Sequence, residues 1–161
     1  MNLRLARPED AESTREIYNS EVTTSTVTFD LVPRSLEEQM AWIDERSGAM
    51  VVVVAEIDGH VVGFASLSPY RDRPAYATTV EDSVYVHADF RGQGIARALL
   101  AEILTIAATR GFHVVMARIV GGHDASIGLH SSQGFASVGT EREVGRKFGK
   151  WLDVVVMQRM L

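Results

Sequence analysis

Apolar and polar residues alternate from Asn2 to Ala6, and a period of two is that of a short strand. Pro8, Glu9 and Asp10 follow. Proline suits a first helical turn and acids suit the positive end of a helix dipole, so a helix is predicted from here to about Val22, with Ile17 and Tyr18 inward. Thr23 to Asp30, rich in threonine and β-branched residues, reads as a loop or a short edge segment. Ser35 and Glu38 have the spacing of a capping box and predict a second helix over about Leu36–Arg46, with Met40 and Ile43 facing the core.

Two β-rich runs, Met50 to Ile57 and Val61 to Leu67, flank Asp58-Gly59, a strong hairpin signal. Pro69 to Ala77 contains two prolines and reads as a loop, and Thr78 to Val86 as a strand. After a glycine-rich turn, Ile95, Leu99, Ile103 and Ile106 recur at helical spacing up to Thr109, and Gly111 ends that helix. His113 to Val120 is the next strand. Asp124 can cap a short helix through Ser132 that Gly134 terminates. Phe135 to Thr140 and Leu152 to Met160 are predicted as the last strands, joined by a polar loop that also has the makings of a solvated hairpin. The order β-α-α-β-β-β-α-β-α-β-β, without repeat or linker, predicts one α/β domain over residues 1–161, a mixed central sheet with helices on both faces.

Composition narrows the chemistry. The chain of 161 residues is 46% hydrophobic and 23% charged, ordinary for a globular protein. A net charge of -5 argues against a general nucleic-acid binder, which needs clustered Lys and Arg. There is no cysteine, so disulfides, Cys-zinc sites and thiol nucleophiles are excluded. No stretch has the pattern of a secretory leader, and none reaches the roughly 18 apolar residues of a membrane span. A cytoplasmic protein is expected. His60, His87 and His113 have no partner pattern, and no His-x-x-x-His or carboxylate cluster implies a metal.

The most informative segment runs from Val84 to Leu100: a strand end, a turn containing Gly92 and Gly94, and a helix start. Glycines take positive φ and let a backbone approach a ligand, and unpaired N–H groups at a helix start attract an anion such as a pyrophosphate. Arg91 and Arg97 add charge. Two glycines alone also make a plain strand-to-helix connection. The turn lacks the Gly-Lys-Ser/Thr of a Walker loop and is not a dinucleotide fingerprint.

Arg91-Gly92-Gln93-Gly94-Ile95-Ala96 resembles the pyrophosphate loop, Arg/Gln-x-x-Gly-x-Gly/Ala, of the GCN5-related N-acetyltransferases (GNAT). The resemblance spans nearly the whole chain and is narrower than the superfamily. Glu81 to Val86, Ala125 to His130 and Val144 to Asp153 are similar to segments of the phosphinothricin and methionine sulfoximine acetyltransferase branch. It implies the GNAT fold, with acetyl-CoA held where two parallel strands splay apart. Val84, Tyr85 and Val86 would meet the pantetheine arm through their backbone. Arg91, Gly92, Gln93, Gly94, Ile95, Ala96 and Arg97 would meet the pyrophosphate. Where this branch usually has an asparagine that helps hold the coenzyme, the chain has His123, and where many members have a basic residue after the substrate loop it has Ala77.

Acetyl transfer to an amine needs a base, a donor to the thioester oxygen and a proton for the departing thiolate. Glu81 shares a strand face with Ser83 and Tyr85, while Val80, Val84 and Val86 share the other. Partial burial would raise its pKa toward the range where a base works. Glu81 is therefore the candidate base, against the alternative of a solvated strand-end acid. His130 stands where many superfamily members carry a thiolate-protonating tyrosine, against the alternative of a satisfied, partly buried histidine. Arg71 and Arg73 sit in a proline-flanked loop suited to gripping a carboxylate, and Arg73-Pro74-Ala75-Tyr76 resembles the branch's substrate loop. Arg71, Arg73, Tyr76, Glu81 and Ser83 form the candidate substrate set. Phe148 and Trp151 could wall a substrate pocket or close a dimer, and a homodimer is expected. The competing readings are acetylation of a protein N-terminus or lysine, and a silent acetyl-CoA-binding protein.

Overall fold

The computed structural model describes residues 1–161 and is built on one seven-stranded sheet with the order β1-β2-β3-β4-β5-β7-β6. In chain order the elements are β1 (Asn2–Leu5), α1 (Ala11–Thr24), α2 (Leu36–Asp44), β2 (Val52–Ile57), β3 (His60–Pro69), β4 (Thr79–Val86), α3 (Ile95–Thr109), β5 (Val114–Val120), α4 (Asp124–Ser132), β6 (Ala136–Lys147) and β7 (Lys150–Met160). The sheet is mixed: β4 and β5 are parallel and all other neighbours are antiparallel. No helix is long and apolar enough to cross a membrane.

Each face of the sheet buries its own core. On one face α3 lays Leu99, Leu100 and Ile103 against Ala65, Leu67, Val80 and Ala117. The spacing i, i+4, i+8 of Ile95, Leu99 and Ile103 makes that stripe. Ile127 and Leu129 of α4 pack on the same cluster. On the other face Ile17, Tyr18 and Val22 of α1 meet Val52, Val54 and Phe64, with Trp42 of α2 beside them. The predicted hairpin is present: Asp58 and Gly59 both take positive φ, the geometry of a two-residue primed turn. At the start of the chain Asp10 is bound by both terminal nitrogens of Arg4, at 2.7 and 2.8 Å. Burial works to raise the Asp10 pKa, but the hydrogen bonds from Arg4 and the Arg7 backbone outweigh it and the net shift is downward.

Three expectations are corrected. Met40 does not face the core; it is exposed, and Gln39 is fully buried in its place. Its amide is satisfied there, donating to Thr14 Oγ1 at 3.0 Å and accepting from Arg34 at 3.1 Å, so the polar residue is tolerated inside. Asp124 does not cap α4: it is the first helical residue, and His123 occupies the cap position without a side-chain hydrogen bond. Of the two readings of the polar segment after Thr140, the loop gives way to the hairpin: β6 continues into a long hairpin with β7, closed by Phe148 and Gly149, both at positive φ. Because β6 is an edge strand exposed along most of its length, it shows no apolar alternation.

That hairpin returns to the α1–α2 connection. Lys147 is buried and donates from Nζ to the Thr28 carbonyl at 2.8 Å, and the Phe29 ring lies directly on Gly145. A Cβ at Gly145 would come within 2.3 Å of that ring. Gly145→Ala should therefore lower thermal stability by about 1–3 kcal/mol. Adding Phe29→Ala should return part of the loss, as a double-mutant cycle by thermal denaturation would record.

Candidate active site

The parallel pairing of β4 with β5 covers only Thr79–Glu81 against Val114–Met116. Both strands continue, to Val86 and Val120, but no longer pair with each other. The result is a wedge between Asp82–Val86 and Ala117–Val120, and it opens into a cleft of about 450 Å³. Between parted strands, backbone N–H and C=O groups lack their ladder partners and are available to an extended ligand.

The wide end of the cleft is formed by the glycine turn. Gly92 and Gly94 have φ of 75° and 80°, and Gly94 is the N-cap of α3. Both lack a Cβ where one would point into open space. The first amides of α3 are thereby left facing the cleft. Gly92, Gly94, Ile95, Ala96, Arg97 and His123 line it together with Ser83, Val84, Tyr85 and Val86. Two of the predicted cofactor residues hold other partners in the structure. Gln93 is not in the lining; its side chain turns back toward the Asp89 carbonyl, at 3.5 Å. Arg91 lines the cleft, but its guanidinium is paired with Glu21 of α1 and donates to the Val86 carbonyl, so its charge is already matched.

Adjacent residues on β4 point to opposite faces. Asp82 joins the α3 side, where its Oδ2 lies 3.0 Å from His130 Nε2, and both residues are buried. His130 Nδ1 lies 2.8 Å from the Ser126 carbonyl. Burial works against the imidazolium, but the hydrogen bond and charge of Asp82 prevail and raise the His130 pKa above its usual value. Glu81 points to the other face, at the apex of the wedge, and is half-buried. Burial raises its pKa, Arg118 opposes, and Asp82 and Glu141 add to the rise. Arg118, on the same face of β5, holds both oxygens of Glu141 at 2.7 Å. Arg71 and Tyr76 stand outside the cleft lining, with the Arg71 guanidinium over the rings of Tyr70 at 5.0 Å and Tyr76 at 5.8 Å. Arg73 is exposed and precedes the single 3-10 turn of Pro74–Tyr76.

The pattern of the acetyltransferase (GNAT) family matches residues 12–135. The chain belongs to the GNAT acetyltransferase family. It is 38% identical to an L-methionine sulfoximine/L-methionine sulfone acetyltransferase of Pseudomonas paraeruginosa, over 98% of this chain and 92% of that one. Two solved structures superpose closely. A ribosomal-protein-alanine N-acetyltransferase from Brucella melitensis has a TM-score of 0.98 and 41% identity, with 100% of each chain covered. A GNAT phosphinothricin acetyltransferase from Sinorhizobium meliloti, in complex with acetyl-CoA, has a TM-score of 0.96 and 38% identity, covering 99% of this chain and 88% of that one.

As a GNAT enzyme the protein is an acetyl-CoA-dependent N-acetyltransferase. The cleft has the layout that cosubstrate needs: the α3 N-terminus, suited to an anion, lies in line with unpaired strand backbone, the order of pyrophosphate and pantetheine along the molecule. Sequence reasoning missed Asp82, Arg118, Glu141 and Glu21. Only Asp82 left a trace, as an acid on the otherwise apolar Val80–Val84–Val86 face. A carboxylate introduced into the anion site should block the cosubstrate. Acetyl-CoA at about 100 times its Kd should stabilise the wild type by roughly 2.7 kcal/mol. Gly94→Glu should abolish that shift in a thermal-denaturation assay, with the ligand-free melting temperature measured in parallel.

Proposed function

We propose that the protein acetylates the α-amine of a small amino-acid-like substrate, of the class of methionine sulfoximine and phosphinothricin, and that residues 1–161 act as one catalytic domain. The observation that carries the reading is Glu81: a half-buried carboxylate with a raised pKa at the apex of the wedge, on the face away from His130. Acetyl-CoA supplies the activated acetyl thioester. Val84 to Val86 hold its arm by backbone hydrogen bonds, and the Gly92 to Arg97 turn, with His123 opposite, holds its phosphates. Glu81 takes the ammonium proton, directly or through water, so that the neutral amine attacks. His130 belongs to the apparatus that returns a proton to the leaving sulfur. Arg71, Arg73 and Tyr76 grip the substrate carboxylate, and Ser83 lies between base and cleft.

The names of the relatives support this substrate class, with L-methionine sulfoximine and phosphinothricin acetyltransferases among them. The likeness to a ribosomal-protein-alanine acetyltransferase favours a second reading, a protein α-amine as acceptor. A panel of amino acids and alanine-initiated peptides in a thiol-release assay separates the two. Exposed Val144, Phe148 and Trp151 on the β6–β7 hairpin support a homodimer contact there. We place the enzyme in the cytoplasm.

Glu81→Gln should lower kcat by about 10²–10⁴-fold, with partial recovery at high pH where free amine is abundant. Because Glu81 must be ionised to act, the acidic limb of kcat/KM should lie above the ordinary glutamate range. Arg118→Ala removes a cation that favours the ionised form, so the limb should move to higher pH; a limb that moves down would contradict the assignment. Arg73→Ala should raise KM for methionine sulfoximine at least about tenfold, from the loss of a charge-assisted contact, and leave acetyl-CoA binding intact. Arg73→Lys should restore only part of the loss, since lysine keeps the charge without the fork.

A further inference from the structure

His130 faces two acceptors and has too few protons for both in its neutral form. Nδ1 lies 2.8 Å from the Ser126 carbonyl, which can only accept, and Nε2 lies 3.0 Å from Asp82 Oδ2. A neutral ring carries one N–H, so one of its nitrogens would point a lone pair at an oxygen lone pair. The geometry is satisfied when the Asp82–His130 pair holds one further proton. The other carboxylate oxygen, Asp82 Oδ1, is buried without a partner, so the ring is the only side chain that Asp82 binds. Around the ring are Asp82 from β4, the Ser126 carbonyl from its own helix and the Phe135 ring edge-on at 5.0 Å; Asp82 is the one charged group among them.

The stored proton lies at the edge of the cleft: His130 lines it but is only 4% exposed, so little of the ring reaches the open space. Ser126 is half-exposed, lines the cleft, and carries its hydroxyl 3.4 Å from His130 Nδ1. Such a distance is long for a hydrogen bond, and catalytic contacts of this kind tighten when substrate is bound. A hydroxyl can accept and donate at once. Asp82, His130 and Ser126 therefore make a continuous chain from the buried carboxylate to the cleft surface.

We propose that Ser126 is the catalytic residue that protonates the departing thiolate, supplied by His130, with Asp82 as the residue that positions and charges the imidazole. The proposal rests on the acetyl-transfer reading but not on the identity of the amine, since the same thiolate leaves whichever amine attacks. As the carbon–sulfur bond breaks, its electron pair stays on sulfur. Ser126 Oγ gives its proton to that sulfur and takes the proton of His130 Nδ1. The imidazole is left neutral, with its Nε2–H on Asp82 and its Nδ1 lone pair against the Ser126 carbonyl, the mismatched state that reprotonation of the ring relieves. The ammonium loses two protons on its way to the amide, one before attack and one after it; both leave by way of Glu81 to solvent, and one solvent proton reloads the ring.

Two measurements test this. The first is an NMR titration of the His130 ring in the ligand-free protein, which does not depend on activity. In the wild type and in Ser126→Ala the ring should titrate above the usual histidine value of about 6.5, and in Asp82→Asn below it. The second is steady-state kinetics with the best amine the wild type accepts. Ser126→Ala should lower kcat by about 10²-fold with little change in KM for acetyl-CoA, and Ser126→Thr, which keeps a hydroxyl, should recover most of it. Asp82→Asn should lower kcat and move the alkaline limb of the profile to lower pH. A purely structural Ser126 would give no hydroxyl-dependent rescue. Wild-type kcat in Ser126→Ala, or a His130 titration unmoved by Asp82→Asn, overturns the proposal. Failure to acetylate any amino acid while peptides are accepted would defeat the substrate reading alone.

Discussion

The separation of β4 from β5 beyond the Glu81–Met116 pair is the constraint from which the site follows. Up to that pair the strands satisfy each other. Beyond it their facing backbone groups lack each other as partners, and the cleft they line leaves them open to a ligand. The same point fixes the division of labour between faces. Because side chains alternate along a strand, Glu81 and Asp82 stand next to each other in the chain and on opposite sides of the sheet. One side holds the α3 N-terminus and His130; the other holds Arg118, Glu141 and the Arg71 loop.

Those two carboxylates show how environment assigns roles to like groups. Burial outweighs the opposing charge of Arg118 at Glu81, so its proton affinity rises. Asp82 is more deeply buried, yet it faces an imidazole, and the effect appears on His130, whose pKa is raised. Neighbouring titratable groups perturbed by burial on one face and by a charged partner on the other are the usual mark of a site that moves protons. The sign of the stability coupling follows. A histidine raised by its partner contributes stability that is fully present below about pH 6.5 and fades as pH passes the raised value.

The far wall of the cleft depends on contacts between distant parts of the chain. Glu21 at the end of α1 pairs with Arg91 in the glycine turn, and accepts from Ser25 Oγ at 2.5 Å. The connection that follows is pinned by Lys147 on Thr28 and by Phe29 on Gly145. The α1–α2 segment, the glycine turn before α3 and the β6–β7 hairpin are thus joined by packed and charged contacts.

The sequence by itself determined the local elements. Strand and helix periods, the Ser35–Glu38 box, the Asp58–Gly59 turn and the glycine turn before α3 are all set by neighbours within a few residues, and their physics is local. The glycine turn and the acid on β4 that the proposed site uses were legible for the same reason. Tertiary structure alone decided the pairings: His130 with Asp82 across 48 positions, Arg91 with Glu21 across 70, and Arg118 with Glu141 across 23. It also decided that Gln39 rather than Met40 goes inside, and that a mostly polar segment becomes a strand. Each outcome turns on a partner brought near by the sheet order, which sets hydrogen-bond satisfaction and burial, and neither quantity is a property of a local stretch of chain.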